Sequence, residues 1–446
     1  MSRITYFQDL LSSLFERRTS SSTKPDARGM LALCNSLLAD TGEVTGLQTG
    51  SALLANYAQA DQEHKLAFFQ SLASDFDIDT EALTERTGEY ATARSAKNLT
   101  SLLEVAEPRR QELLRRLNGV PGGTEALVRM REDLLQTLHE DAGLARVDVD
   151  FEHLFSSWFN RGFLVLRPID WTTPAHILEK IIKYEAVHAI DSWEDLRRRL
   201  QPADRRCFAY FHPAMPNEPL IFVEVALTAD IAGSIQAVLA ESRDPVLPQD
   251  AAAAIFYSIS NCQKGLRGVS FGNFLIKQVA TDLASSLPNI KTFITLSPIP
   301  GFMTWLKAQA EADPESAPAA LYTVASQLTP ENADEATPDE VAGLKSLAAR
   351  YFLQEQRPKG GPIDPVARFH LGNGASLRTI HWLGDRSENG LRNSAGMMVN
   401  YLYDLKSVDA NHEAFSKDGK VIASRDVTSL LDARFDSQNA RKQVNV

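Results

Sequence analysis

Two residues able to handle a proton stand beside apolar segments: Ser297 in KTFITLSPIPGF and His370 in ARFHLGNGASL. Residues 292–296 are apolar or β-branched throughout and read as a short buried strand. Pro298 and Pro300 cannot continue a ladder, so Ser297 is expected where the strand stops. Strand ends in α/β domains are where the backbone opens and loops converge on ligands. His370 reads as part of an apolar, strand-like segment ahead of the GNG turn, where an imidazole can be tuned near neutral pH and reach a ligand with one nitrogen. His64, His139, His153 and His176 fall in helical stretches and suit structural roles. Ser297 is flanked by Leu296 and Pro298 and lacks the G-x-S-x-G elbow of a hydrolase nucleophile. Neither His-x-x-x-His nor a His cluster with Asp or Glu occurs, so no metal site is expected. Hydrogen bonding and proton transfer are the chemistry left to this pair.

The stretch IFYSISNCQKGLRGVSFGNFLIKQVATDL, residues 255–283, carries a different signal. A strand ending near Ser260 leads through Gly265, Gly268 and Gly272 into an amphipathic helix with Leu275, Val279 and Leu283 on one side. Such a connection can cradle phosphate: glycines let the backbone approach a ligand, and free N–H groups at a helix start attract anionic oxygens. Lys264 and Arg267 add positive charge. The pattern is neither a P-loop nor a dinucleotide turn, and a glycine-rich connection that binds nothing fits the spacing equally well.

The elements that must hold these residues divide the chain. Residues 1–155 alternate apolar and charged positions with helical spacing, as in TEALVRMREDLLQTL, where Thr124 is placed to cap a helix and Leu127, Met130, Leu134 and Leu138 share a face. An all-α helical bundle is expected there. From residue 156 to 446 the candidate strands GFLVLRPI, EPLIFVEVAL and AAIFYSIS interleave with helices such as AHILEKIIKYEAV, which predicts an α/β or α+β domain. A helical insertion is expected near residues 308–362, and a surface hairpin, a helix and a loose tail at the end.

With 446 residues, the chain calls for about two cores. A net charge of -11 opposes nucleic acid and anionic membranes as partners, and no apolar run approaches a membrane span. Cys34, Cys207 and Cys262 form no C-x-x-C pair, so neither a disulfide framework nor a zinc ribbon is indicated. The cytoplasm is the expected compartment.

Taken together, SSWFNRGFLVLRPIDW, EAVHAIDSWEDLRRRL, DRRCFAYFHP, EPLIFVEVAL, FYSISNCQKGLRGVSFGNFLIKQV, TLSPIPGF and ARFHLGNGASLRTIHWLGDRSENGLRNSAGMMVNYLYDL resemble, in order, the malonyl-CoA decarboxylase family. The resemblance implies a helical N-terminal domain and a C-terminal catalytic domain of the GNAT-type N-acetyltransferase fold. It places the coenzyme A pyrophosphate loop on Arg267, Gly268, Val269, Ser270, Phe271, Gly272 and Asn273. It also places the catalytic pair on Ser297 and His370, with Ser258 and Tyr403 at further active-site positions. The loop departs from the acetyltransferase Q-x-x-G-x-G, reading Gln263-Lys-Gly-Leu-Arg-Gly.

The reaction so implied converts malonyl-CoA to acetyl-CoA and carbon dioxide through a thioester enolate. Ser297 would orient the carboxylate or the carbonyl, and His370 would donate the proton. No cofactor is called for beyond the CoA carried by the substrate, and a homo-oligomer, a tetramer by family pattern, is expected. An acyl-CoA-dependent N-acyltransferase and a non-enzymatic CoA-responsive interaction protein are the alternatives.

Overall fold

The computed structural model describes residues 27–39, 42–269, 275–358 and 360–432. Two compact units result. One takes in the described residues up to Val165 with Phe211–Pro219 and Gln263–Phe271; the other comprises Leu166–Tyr210, Leu220–Cys262 and the residues from Gly272 onward.

The first unit is helical: α1 Ala27–Leu38, α2 Glu43–Gln59, α3 Gln62–Ser74, α4 Thr80–Thr92, α5 Ala96–Ala106, α6 Arg109–Asn118, α7 Gly123–Thr137 and α8 Ala145–Trp158. Short polar side chains start several of them, with Asp61, Asp79 and Ser95 accepting from first-turn amides of α3, α4 and α5. Leu53, Phe68, Leu113, Leu127 and Phe151 are fully buried between the helices. Thr124 departs from its expected capping role. The N-cap of α7 is Gly122, whose positive φ turns the chain, and the Thr124 hydroxyl donates to Asn118 Oδ1 inside the first turn.

The second unit is built on a mixed sheet, of which Val165 and the strand residues within Phe211–Pro219 are counted with the first unit. Its strands are β1 Val165–Ile169, β2 Arg205–His212, β3 Met215–Thr228, β4 Ala253–Asn261, β5 Thr292–Thr295, β6 Ser297–Pro298, β7 Ser376–His381 and β8 Met398–Leu402. They run β1-β2-β3-β4-β5-β8-β6, and β7 also pairs with β8. The β4–β5 pair is parallel, while β3–β4, β5–β8, β6–β8 and β7–β8 are antiparallel. The unit's helices are α9 Ala175–Tyr184, α10 Trp193–Leu200, α11 Ile235–Leu239, α12 Leu275–Ser286, α13 Phe302–Ala312, α14 Ala317–Ser326, α15 Pro338–Leu353, α16 Pro365–Gly372, α17 Glu388–Ser394, α18 Val408–Asp418 and α19 Arg425–Thr428. One face of the sheet packs Ile255, Tyr257, Ile294, Leu296 and Met398 into a buried cluster with Ile235 of α11. The helical first region and mixed-sheet second region agree with the sequence reading of fold class.

Two details differ. The predicted terminal hairpin is absent among the described residues: α18 is followed by a single parallel bridge from Ala423 to Leu377 and then α19. Pro298 also lies within a ladder, opposite Met398, because β6 is the last strand of the path and an edge tolerates a residue without an N–H.

Candidate active site

The parting of β4 and β5 organises the site. Their parallel register runs from Ala253↔Thr292 to Phe256↔Thr295, and the Leu296 amide makes a further bond to the Phe256 carbonyl at 3.0 Å. Beyond it, β4 continues alongside β3 to Asn261 through a bulge at Glu224/Val225, while the other chain passes into β6 beside β8. Ser258 and Ser297 therefore occupy matching positions, each two residues past the last registered pair, on strands that have separated.

Ser297 is buried, and its hydroxyl lies 2.8 Å from Thr295 Oγ1 and 3.2 Å from His370 Nε2. His370 Nδ1 lies 2.8 Å from the Tyr403 hydroxyl, and its ring stacks on Tyr401 with centroids 4.5 Å apart. Thr295 Oγ1 also accepts the Tyr401 amide at 3.1 Å. The sequence had His370 in a strand-like segment; it sits instead on α16. Asp364 and Pro365 explain the helix: the Asp364 carboxylate caps the Ala367 amide at 2.7 Å, and Pro365 takes the first-turn position. The helix ends before Gly374, whose φ of +82° and close approach to the Val408 carbonyl admit no side chain.

The partners fix the direction of the chain. Burial raises the Tyr403 phenol, so its proton stays on, and its hydrogen-bond partner among the described residues is His370 Nδ1. Tyr403 thus donates, which assigns the imidazole hydrogen to Nε2 and directs it at Ser297 Oγ; the Ser297 proton then goes to Thr295. Burial lowers the His370 pKa to about 3, so the ring is neutral. This polarity runs against a serine nucleophile, because the imidazole gives a hydrogen to Ser297 where a general base would take one.

Of the expected site residues, the structure joins Ser297, His370 and Tyr403. Ser258 belongs to another arrangement, donating to Glu185 with both carboxylate oxygens within 2.8 Å. In the first unit, Arg267 and Gly268 are exposed and Val269 is buried. Ser270, Phe271, Gly272 and Asn273 lie outside the described residues. Gly265 has a different purpose from the expected approach to a ligand: a Cβ there would fall 1.8 Å from the Val128 carbonyl of α7. Buried Arg131 holds the same loop, donating to the carbonyls of Gly265 at 3.0 Å and Arg267 at 2.8 Å.

The sequence reading missed Thr295, Tyr401, Glu185 and Arg131. Thr295 and Tyr401 were within reach of strand periodicity, since each precedes a chosen residue by two and shares its side. Nothing local marks Glu185 or Arg131.

Residues 162–441 match the family profile described as malonyl-CoA decarboxylase C-terminal domain, and residues 76–159 match malonyl-CoA decarboxylase N-terminal domain. The mitochondrial malonyl-CoA decarboxylase of Anser anser anser is 37% identical over 401 residues, covering 81% of this chain and 78% of the relative. That of Rattus norvegicus is 32% identical over 416 residues, covering 85% and 84%. Among solved structures, malonyl-CoA decarboxylase from Rhodopseudomonas palustris superposes with a TM-score of 0.83 at 50% identity, covering 91% of this chain and 99% of that one. The Agrobacterium vitis enzyme gives 0.84 at 51% identity, covering 90% and 99%.

Proposed function

The chain belongs to the malonyl-CoA decarboxylase family, and from that premise we propose that it converts malonyl-CoA to acetyl-CoA and carbon dioxide at the Ser297–His370 pair. The observation that carries the reading is the buried hydrogen-bonded chain Tyr403, His370, Ser297, Thr295 beside the β4–β5 parting.

Decarboxylation breaks the bond between C2 and the carboxyl carbon, and its electron pair moves into the thioester as an enolate. The thioester carbonyl is the electron sink, so the chemistry calls on no metal or organic cofactor. The protein must hold the carboxylate out of the enolate plane, stabilise the oxyanion and protonate C2. Ser297 orients the carboxylate or the thioester carbonyl, and His370 supplies the proton. In the free protein the ring is neutral. The malonyl carboxylate brings a negative charge that favours uptake of one proton from solvent at Nδ1, with Tyr403 turning to accept it; after carbon dioxide leaves, the imidazolium gives its Nε2 hydrogen to C2 of the enolate and returns to the neutral ring.

The loop Arg267–Asn273 is assigned to the CoA pyrophosphate, with Lys264 and Arg267 supplying positive charge. Three buried free cysteines support a reducing setting, the cytoplasm included; among the described residues no helix is long and apolar enough to cross a membrane. Assembly into a tetramer is assigned to the helical unit, where α4 and α5 bury no residue of their own and Leu99 and Leu103 stand exposed.

The test mixes purified protein with malonyl-CoA in the presence of a chelator and follows the products by mass. Stoichiometric acetyl-CoA supports the reading. Free CoA points to thioester hydrolysis or acyl transfer, and unchanged malonyl-CoA removes the enzymatic assignment.

A further inference from the structure

Ser258 and Ser297 flank the β4–β5 parting at matching positions, yet their hydroxyls are committed differently. Ser297 joins the histidine chain. Ser258 is clasped by Glu185, which follows α9: its hydroxyl lies 2.8 Å from Glu185 Oε1 and 2.7 Å from Oε2, against 3.3 Å from the neighbouring Ser260 hydroxyl. A carboxylate outcompetes a neutral oxygen for a hydroxyl proton, so the Ser258 proton goes to Glu185. The carboxylate is itself fixed, accepting the Val187 and His188 amides at 2.8 Å each and the Ser260 hydroxyl at 3.3 Å.

A serine has one proton: the Glu185 carboxylate holds that of Ser258 and leaves its oxygen only to accept, whereas the proton of Ser297 rests on the neutral Thr295 hydroxyl and an anionic ligand can draw it away. The malonyl carboxylate and the thioester carbonyl are both acceptors, so neither finds a donor in Ser258. The carboxylate would also meet the like charge of Glu185 across one side chain. The groups of an acyl-CoA near the thioester that carry a hydrogen for such an oxygen are the amide N–H groups of the pantetheine arm.

We propose that Glu185 is a positioning residue for substrate: by taking the Ser258 proton it presents the Ser258 oxygen as an acceptor for a pantetheine N–H, and it leaves the malonyl carboxylate to the Ser297 side of the parting. This rests on the reading of Ser258 as a substrate contact in a decarboxylase. It divides the labour between the two serines, with Ser258 holding the arm and Ser297 addressing the reacting groups.

The experiment compares Glu185→Gln, Ser258→Ala and the double variant with the full-length parent by two measurements. Kinetics follow acetyl-CoA formed from malonyl-CoA; calorimetry measures binding of acetyl-CoA, which has the arm but lacks the carboxylate. Losing one such hydrogen bond should raise both KM for malonyl-CoA and Kd for acetyl-CoA about tenfold in each single variant, with kcat held within about twofold. The double variant should match Ser258→Ala, because Glu185 acts through that side chain. A kcat loss with KM and Kd unchanged would place Ser258 at the reacting groups and overturn the proposal. An unchanged Kd in Ser258→Ala would do the same even if Glu185→Gln fails to fold. Should the parent make no acetyl-CoA, the decarboxylase reading fails on that result alone, and the acetyl-CoA affinities of the variants still decide whether Glu185 and Ser258 hold the arm.

Discussion

The Tyr403 hydroxyl gives its hydrogen to His370 Nδ1 across 2.8 Å. That one contact decides which imidazole nitrogen carries the hydrogen, and so whether Nε2 meets Ser297 as a base or as a donor. With Nε2 bearing the hydrogen, the pair resembles a protonating device more than a nucleophilic one, which suits a reaction that ends by placing a proton on carbon.

Removing members of the chain should therefore cost turnover more than binding. An oxyanion or carboxylate donor of this kind is worth on the order of 3 kcal/mol, so Ser297→Ala should lower kcat roughly a hundredfold or more. His370→Asn should be at least as damaging. Thr295→Val removes the acceptor of the Ser297 proton without touching substrate and should cost roughly tenfold. Steady-state kinetics with malonyl-CoA check all three; near-parental kcat in well-folded Ser297→Ala and His370→Asn would remove the roles assigned here.

Much of this site was legible because its parts are strand ends with period-two neighbours. The apolar run before Ser297 predicted β5, and the strand-like run before the glycine loop and the amphipathic spacing after it predicted β4 and α12.

 The helix under His370 was legible too, in Asp364-Pro365, but the apolar residues around the histidine outweighed that start signal. Glu185 and Arg131 could not be read in advance. Each acts on residues more than seventy positions away, Ser258 and Gly265, and no local pattern encodes a partner at that separation.

The neutral state of His370 predicts a pH effect on stability. Burial lowers its pKa to about 3, from an ordinary value of 6.5. The unfolded chain thus takes up a proton before the folded one does, and the stability contributed by the neutral ring is complete above pH 6.5 and is lost as pH falls toward 3. His370→Gln should lose less stability across that acid window. Urea midpoints measured near neutrality and at about pH 4.5 test this; equal acid losses in parent and variant would mean that His370 does not carry the effect.

Arg131 should couple helix packing to the glycine loop of its own unit. It is buried, pairs with Asp148 at 2.7 Å and donates to two loop carbonyls. Arg131→Met leaves those carbonyls and a partly solvated carboxylate without their donor, a loss of about 2–3 kcal/mol. If the loop holds the CoA pyrophosphate, KM for malonyl-CoA should rise more than kcat falls. Chemical denaturation and kinetics on the same preparation separate the two effects, and a variant with the expected instability but an unchanged KM would detach the loop from CoA.

Glu224 should limit stability at alkaline pH. It is fully buried on β3 in register with Ser258, and burial, reinforced by the charge of Glu185, pushes its carboxyl up to about 8. Arg199 Nη1 at 3.4 Å offsets only part of that shift. The unfolded carboxyl ionises near 4.5, so from there to about 8 the unfolded chain releases a proton that the folded one keeps. Stability tied to the neutral carboxyl is therefore whole below 4.5 and declines as pH rises through 8. Gln has no proton to lose, and Glu224→Gln should gain on the parent steadily across this window. Urea midpoints at about pH 5 and about pH 8 measure the gain. A difference between variant and parent that stays constant with pH would show that Glu224 is ionised in the folded protein, with Arg199 balancing its charge.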